Sequence, residues 1–192
     1  MSDTFRSVPV AGASFRTVAG ALGVGVVVFL AGPAWADSTG DVNATVDVSG
    51  GPLSISTPDA IELGSTAVGM DVGGQLGGVT VLDRRGATSA TWTATVTSTA
   101  YTTGGGASSE TIPASDVDYW SGPATDTEGT ATFTPGQATD DDAVPLDVAE
   151  TAFSEGSGDG GNSASWDPTI TVHIPATAVA GSYSGTVTHN VS

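Results

Sequence analysis

The sequence predicts an all-β chain: a single antiparallel β-sandwich, Greek-key, Ig-like or jelly-roll-like in its connections, behind an N-terminal leader. Three observations carry this. Apolar residues alternate with polar ones at period two in several stretches. Gly and Pro turns separate those stretches. No window outside the leader repeats apolar residues at helical spacing behind a cap.

Residues 1–36 read as a secretory signal. Arg6 and Arg16 precede a charge-free stretch from Thr17 to Ala36 whose core, Leu22 to Leu30, is apolar. Pro33 breaks it, and Ala34-Trp35-Ala36 puts small residues where a signal peptidase reads. Cleavage after Ala36 leaves 156 of the 192 residues, beginning at Asp37. The competing reading is an uncleaved membrane anchor, since this many uncharged residues can just span a bilayer. The shortness of the densest apolar run and the A-x-A favour cleavage. Either way residues 37–192 are expected to work outside the cytoplasm, with membrane contact only through the leader.

The strands follow in order. Val42, Ala44, Val46 and Val48 alternate with polar neighbours, as do Trp92, Ala94 and Val96, and then Ile170, Val172 and Ile174. Tyr183, Val187, His189 and Val191 share one parity near the C-terminus, so His189 is expected inward or at an edge. Threonine on the alternate positions marks half-buried antiparallel strands. Shorter candidates are Leu53–Ile55, Ile61–Leu63, Val79–Asp83, Tyr119–Trp120 and Thr130–Phe133. The expected turns include Ser49-Gly50-Gly51-Pro52, Gly73-Gly74, Gly77-Gly78, Gly104-Gly105-Gly106, Pro135-Gly136 and Ala180-Gly181.

Residues 139–162 stand apart. They hold seven acids, including Asp140-Asp141-Asp142, and end in a Gly-rich run. We read them as a long acidic mobile loop holding a short strand or edge piece. Their spacing does not match a calcium loop with acids at alternate positions, a central Gly and a closing Glu, so they read as a solvated charge run.

Composition narrows the partners. Of the 21 acids only Asp3 lies in the leader, and of four basic residues Arg6 and Arg16 do. Residues 37–192 therefore set Arg84 and Arg85 against 20 acids, a net charge of −18, with no lysine anywhere. That field repels nucleic acid and anionic surfaces. Cysteine is absent, which excludes disulfides, thiolate metal sites and cysteine nucleophiles. There is no Gly-x-Ser-x-Gly, phosphate loop or His-Glu-x-x-His, so no enzyme, cofactor or metal is expected.

One pattern occurs twice: Ser89-Ala-Thr-Trp92-Thr-Ala-Thr-Val-Thr97 and Ser163-Ala-Ser-Trp166-Asp-Pro-Thr-Ile-Thr171. Around it run Leu53-Ser-Ile-Ser-Thr-Pro58, Leu63-Gly64, Val79-Thr-Val-Leu-Asp83-Arg84-Arg85-Gly86 and Ala180-Gly-Ser-Tyr183-Ser-Gly-Thr-Val187. In this order the pieces resemble the WxL-domain surface proteins of Gram-positive bacteria, in the form typical of high-GC actinobacteria. The resemblance covers nearly all of 37–192. It implies a secreted β-rich domain held non-covalently on peptidoglycan, with Asp83, Arg84 and Trp92 as motif positions. The chain departs from the motif where Ala94 and Pro168 follow the tryptophans, and where His189-Asn190-Val191 stands in the last strand.

Candidate wall or ligand contacts are therefore Trp92, Trp120, Trp166 and Arg84. Trp92 and Trp166 also read as core anchors, Trp166 nearer an edge because Asp167-Pro168 follows. Tyr119 and Trp120 are adjacent, so one of them faces outward, where it can stack on a sugar or cover a loop. The arginines read as a structural fork on Asp83 or another acid, or as a clamp on a wall carboxylate or phosphate. The expected function is that of an exported non-catalytic surface protein binding peptidoglycan, another wall polymer or a partner surface protein. The alternatives are a secreted carbohydrate-binding or carbohydrate-active module, and a subunit of an extracellular surface assembly.

Overall fold

Alternation along the chain becomes alternation across sheets. The computed structural model describes residues 43–192. The expected leader with its cleavage position Ala36, and Val42 of the first expected strand, lie outside them. All strands belong to one unit, Val46–Ser192. They begin with β1 (Leu53–Ser56), β2 (Asp71–Gln75), β3 (Val79–Asp83), β4 (Ala90–Ser98) and β5 (Tyr101–Thr102). Next come β6 (Thr111–Ile112), β7 (Val117–Trp120), β8 (Ala124–Glu128), β9 (Thr132–Pro135) and β10 (Val144–Pro145). The last are β11 (Glu150–Gly158), β12 (Asn162–Trp166), β13 (Thr169–His173) and β14 (Val187–Val191). Every ladder between them is antiparallel.

The hydrogen-bonded orders are β1-β3-β12-β8, β10-β7-β13-β2 and β14-β4-β11-β9, with β5-β6 as a separate hairpin. The first two orders are halves of one bent sheet. Three chain passages, β2 into β3, β7 into β8 and β12 into β13, cross from one half to the other within two or three residues. Corner chemistry makes the bend. Pro168 removes a donor at one corner, and its carbonyl accepts from Leu76 N at 2.7 Å. Gly122 takes φ +70 at another, a value that suits glycine. The β14-β4-β11-β9 layer packs on this bent sheet, so the chain is an antiparallel β-sandwich.

The inward parity of each strand makes the core. Val79, Val81 and Asp83 of β3, Trp92, Ala94 and Val96 of β4, and Ala164 and Trp166 of β12 are all buried. Trp166 stacks on Phe153 with centroids 4.8 Å apart, and Trp92 meets Phe133 at 6.2 Å. The repeated tryptophans thus share one core.

Several expectations need correction. Residues 43–48 form no strand, and Val46 and Val48 are 85% and 89% exposed. Ile61–Leu63 is coil. Gly73-Gly74 is no turn but the middle of β2; a Cβ on Gly73 would sit 2.8 Å from the Ile170 carbonyl, so glycine permits close strand approach. Residues 139–162 are not a long loop. They hold the nine-residue β11, an interior strand between β4 and β9. A bulge between Thr151 and Phe153 turns the adjacent Ala152 and Phe153 both inward, which erases the period-two signal. Asp140–Asp142 is a single 3-10 turn, where the Asp142 carboxylate accepts from Thr139 N and Oγ1 at 3.1 and 2.8 Å.

Candidate functional site: an apolar recess on the open flank

β2 and β14 are edge strands, one of each layer. Between their sides of the sandwich lies a recess of about 890 Å³. Its floor is core: Leu76, Val79, Ile112 and Val172 are each at least nine-tenths buried. Its walls are two coil segments, 57–68 and 179–186. Ile61, Val68 and Val179 stand at its mouth, 37%, 49% and 40% exposed. Large apolar side chains gathered around an opening make this recess the candidate site.

Local bonding holds the second wall. The Tyr183 hydroxyl lies 2.9 Å from the Val179 carbonyl and 3.1 Å from that of Ser109, to which Val179 N also donates at 2.9 Å. The Thr102–Ser184 bridge ties the same segment to β5.

One polar chain reaches the recess from the core. Trp166 Nε1 donates to the Tyr119 hydroxyl at 3.1 Å, and that hydroxyl lies 3.2 Å from His189 Nε2. Tyr119 has one proton, and its oxygen already accepts from the indole. That oxygen keeps a second lone pair, so His189 Nε2 accepts the phenol proton or donates to the oxygen according to its tautomer. Burial lowers the His189 pKa to about 4 and pushes the Tyr119 phenol up. The pair is neutral at ordinary pH, and His189 lines the recess. Among the described residues no Lys or Arg lines the recess; Asp59 and Glu62, both exposed, lie on its 57–68 wall.

The other end of the sandwich interior is polar. Asp83 is fully buried and accepts from Arg85 through Nε at 3.0 and 3.1 Å, NH2 at 2.7 Å and the backbone N at 2.9 Å. These bonds hold its carboxyl below the usual range. The fork is Arg85; the Arg84 side chain is exposed and takes no part in it. Beside it Trp92 Nε1 donates to Asn162 Oδ1 at 3.3 Å. Glu155 is 2% exposed and among the described residues neither carboxylate oxygen has a hydrogen-bond partner; burial, with the Asp83 charge second, raises its pKa.

The sequence-chosen contact residues are scattered by this arrangement. Trp92 and Trp166, at 2% and 0% exposure, present no ring face to a ligand, and Trp166 does not lie at an exposed edge. Asp83, a motif position, is a buried ion-pair acceptor. Trp120 is half-buried on the outer face of β7, opposite Tyr119. On that face His173 Nδ1 and Nε2 each lie 2.9 Å from a carboxylate oxygen, of Asp71 and Asp118. Among the described residues no cluster of three or more His, Asp or Glu is arranged to hold a metal ion. The recess escaped sequence reading because its walls are coil; only the inward parity of His189 pointed to it. No protein-family model, curated protein or solved structure matches the chain.

Proposed function

We propose that the chain is an exported, non-catalytic binding protein of the cell envelope, and that it engages wall polymer or a partner surface protein through the apolar recess. The observation that carries this reading is the recess itself: a core floor, an apolar mouth and walls of coil. Its histidine supports binding over chemistry. An imidazole held near pKa 4, with Nε2 committed to Tyr119, is a poor proton acceptor at neutral pH. Residues 1–36 support export through their signal-like order. The resemblance to WxL-domain proteins supports the wall as destination, although the buried tryptophans move the proposed contact away from the WxL positions.

Trp120 supports a second reading, a glycan platform. It is the one candidate tryptophan left half-exposed, and it shares the outer face with Asp118, Thr171 and His173. A flat ring edged by hydrogen-bonding groups suits a sugar. Purified peptidoglycan and isolated wall partners, used as pull-down bait, separate the two. Val179→Trp, which narrows the mouth, is expected to abolish retention while Trp120→Ala leaves it intact. Retention lost only with Trp120→Ala would overturn the recess reading in favour of the platform.

A further inference from the structure

We propose that the recess receives residues 44–48 of a second copy of this chain as an added β-strand, so that copies join head to tail. This rests on the recess being the binding site and names its partner.

The bent sheet leaves a strand position open. Across the corner β3 continues β2, β13 continues β12 and β8 continues β7. β1 lies beside β3 but has no continuation beside β2, because past Ser56 the chain is coil that joins no ladder. β2 is therefore paired along one edge, to β13, and among the described residues its other edge has no strand. Residues 57–66 make no backbone hydrogen bond to β2, so an incoming strand displaces none. A free edge of this kind is a template for strand addition.

The lining suits a strand. The floor, Leu76, Val79, Ile112 and Val172, has no side-chain polar atom, while the hydroxyl-bearing Thr57, Ser65, Thr66, Ser182, Ser184 and Thr186 belong to the walls. A strand laid here sets alternate side chains on the floor and the others toward the mouth. Residues 44–48 have that order, with Ala44, Val46 and Val48 on one parity and Thr45 and Asp47 on the other.

The segment has no pairing strand in its own copy among the described residues, and Val46 and Val48 are nearly fully exposed. Just after them the chain is pinned at the Asp83 end of β3. Gly51 N donates to the Arg84 carbonyl at 2.6 Å, and Arg84 N to that of Pro52 at 3.1 Å. From Gly51, Val48 reaches at most ~11 Å. Along β1 the lining begins only at Thr57, ~20 Å from Gly51. Val48 cannot enter its own recess, so the docked segment is a neighbour's. Donor and slot lie at opposite ends of the copy, and such a heterologous contact repeats. Each copy carries a net charge of −17, and Asp47 would approach Asp59 and Glu62, so association strengthens as salt screens the repulsion.

The test uses the full chain and its variants, sized by sedimentation or light scattering at ~0.3 M salt. The full chain is expected to form a series of species larger than one copy, with association at least ~10-fold weaker at ~0.02 M salt. Val46→Asp combined with Val48→Asp removes the donor. It should leave single copies with an unchanged melting temperature, because both side chains are exposed. Val179→Trp narrows the slot and should also leave single copies. Mixed in equal amounts, the two variants should form a complex of two copies and nothing larger, since each supplies what the other lacks. Single copies of the full chain at every salt concentration overturn the proposal. So does association that survives the double substitution, or a mixture that stays as single copies. If the proposal falls while Val179→Trp still strips retention on wall bait, the occupant is foreign and the recess reading stands. If Val179→Trp changes neither assembly nor retention, both fall.

Discussion

The two ends of the sandwich interior solve the same problem differently. Val79, on the floor of the recess, and Asp83, in the polar cluster, lie four positions apart; both are inward residues of β3. At the Asp83 end the layers are closed by side chains: a forked ion pair with Arg85, the Trp92–Asn162 bond and the tilted contact of Trp92 with Phe133. At the Val79 end no strand among the described residues continues the edge, and two coil segments stand around the recess. There the polar pairing moves to the outer face, where His173 bridges Asp71 and Asp118 across β2, β13 and β7. A closed end supports stability. An open apolar end gives up packing, and the proposed binding role is what that space would serve.

The largest expected effect tests the closed end. Trp92→Ala removes a buried ring and leaves Asn162 Oδ1 without its donor. Denaturant unfolding should show a loss of about 3–5 kcal/mol. A loss below about 1 kcal/mol would mean that this end is not what holds the layers. Glu155→Met is next and has the opposite sign. It removes a buried carboxylate that has no partner and faces the charge of Asp83, so stability at neutral pH should rise by about 1–3 kcal/mol.

That second effect has a pH signature. The folded Glu155 pKa is raised above its ordinary 4.5, so its contribution is fully present below 4.5 and is lost as pH rises through the folded value. The Met variant should lack that decline. Asp83 acts in the other direction. Its folded pKa is lowered below 3.8, so its contribution is present above 3.8 and disappears in stronger acid.

The smallest effect belongs to the outer clip. The carboxylates of Asp118 and then Asp71 raise the His173 pKa above 6.5. The clip therefore stabilises fully below 6.5 and fades as pH passes the folded value. Its groups are substantially solvent-exposed, so solvent screening keeps the gain small. His173→Asn should lower the melting temperature slightly at pH 5.5 and not at pH 9; a loss equal at both would assign the effect to packing instead.

Strands whose alternation is intact were legible. Val79–Asp83 is β3 residue for residue, and the alternating Trp92, Ala94 and Val96 mark the inward face of β4. Legibility failed where local geometry breaks the period. The bulge in β11 hid an interior strand inside an acidic segment, and paired glycines disguised β2 as a turn. Val46 and Val48 failed the other way. They alternate well but have no pairing strand among the described residues, and a period-two pattern does not itself supply a neighbour. Of the sites, the inward turn of His189 was readable from parity. Its bond to Tyr119 joins residues 70 positions apart, which no local pattern encodes.

By itself the sequence determined the β class, the signal-like residue order of 1–36 and the strongly acidic charge, because these follow from composition and from periods a few residues long. The tertiary structure alone decided which tryptophans are hidden, which arginine holds Asp83, and that β2 and β14 leave an apolar recess between them. Those outcomes depend on how distant strands align and where the bent sheet turns its corners. Burial belongs to the packed assembly of strands, not to any one of them.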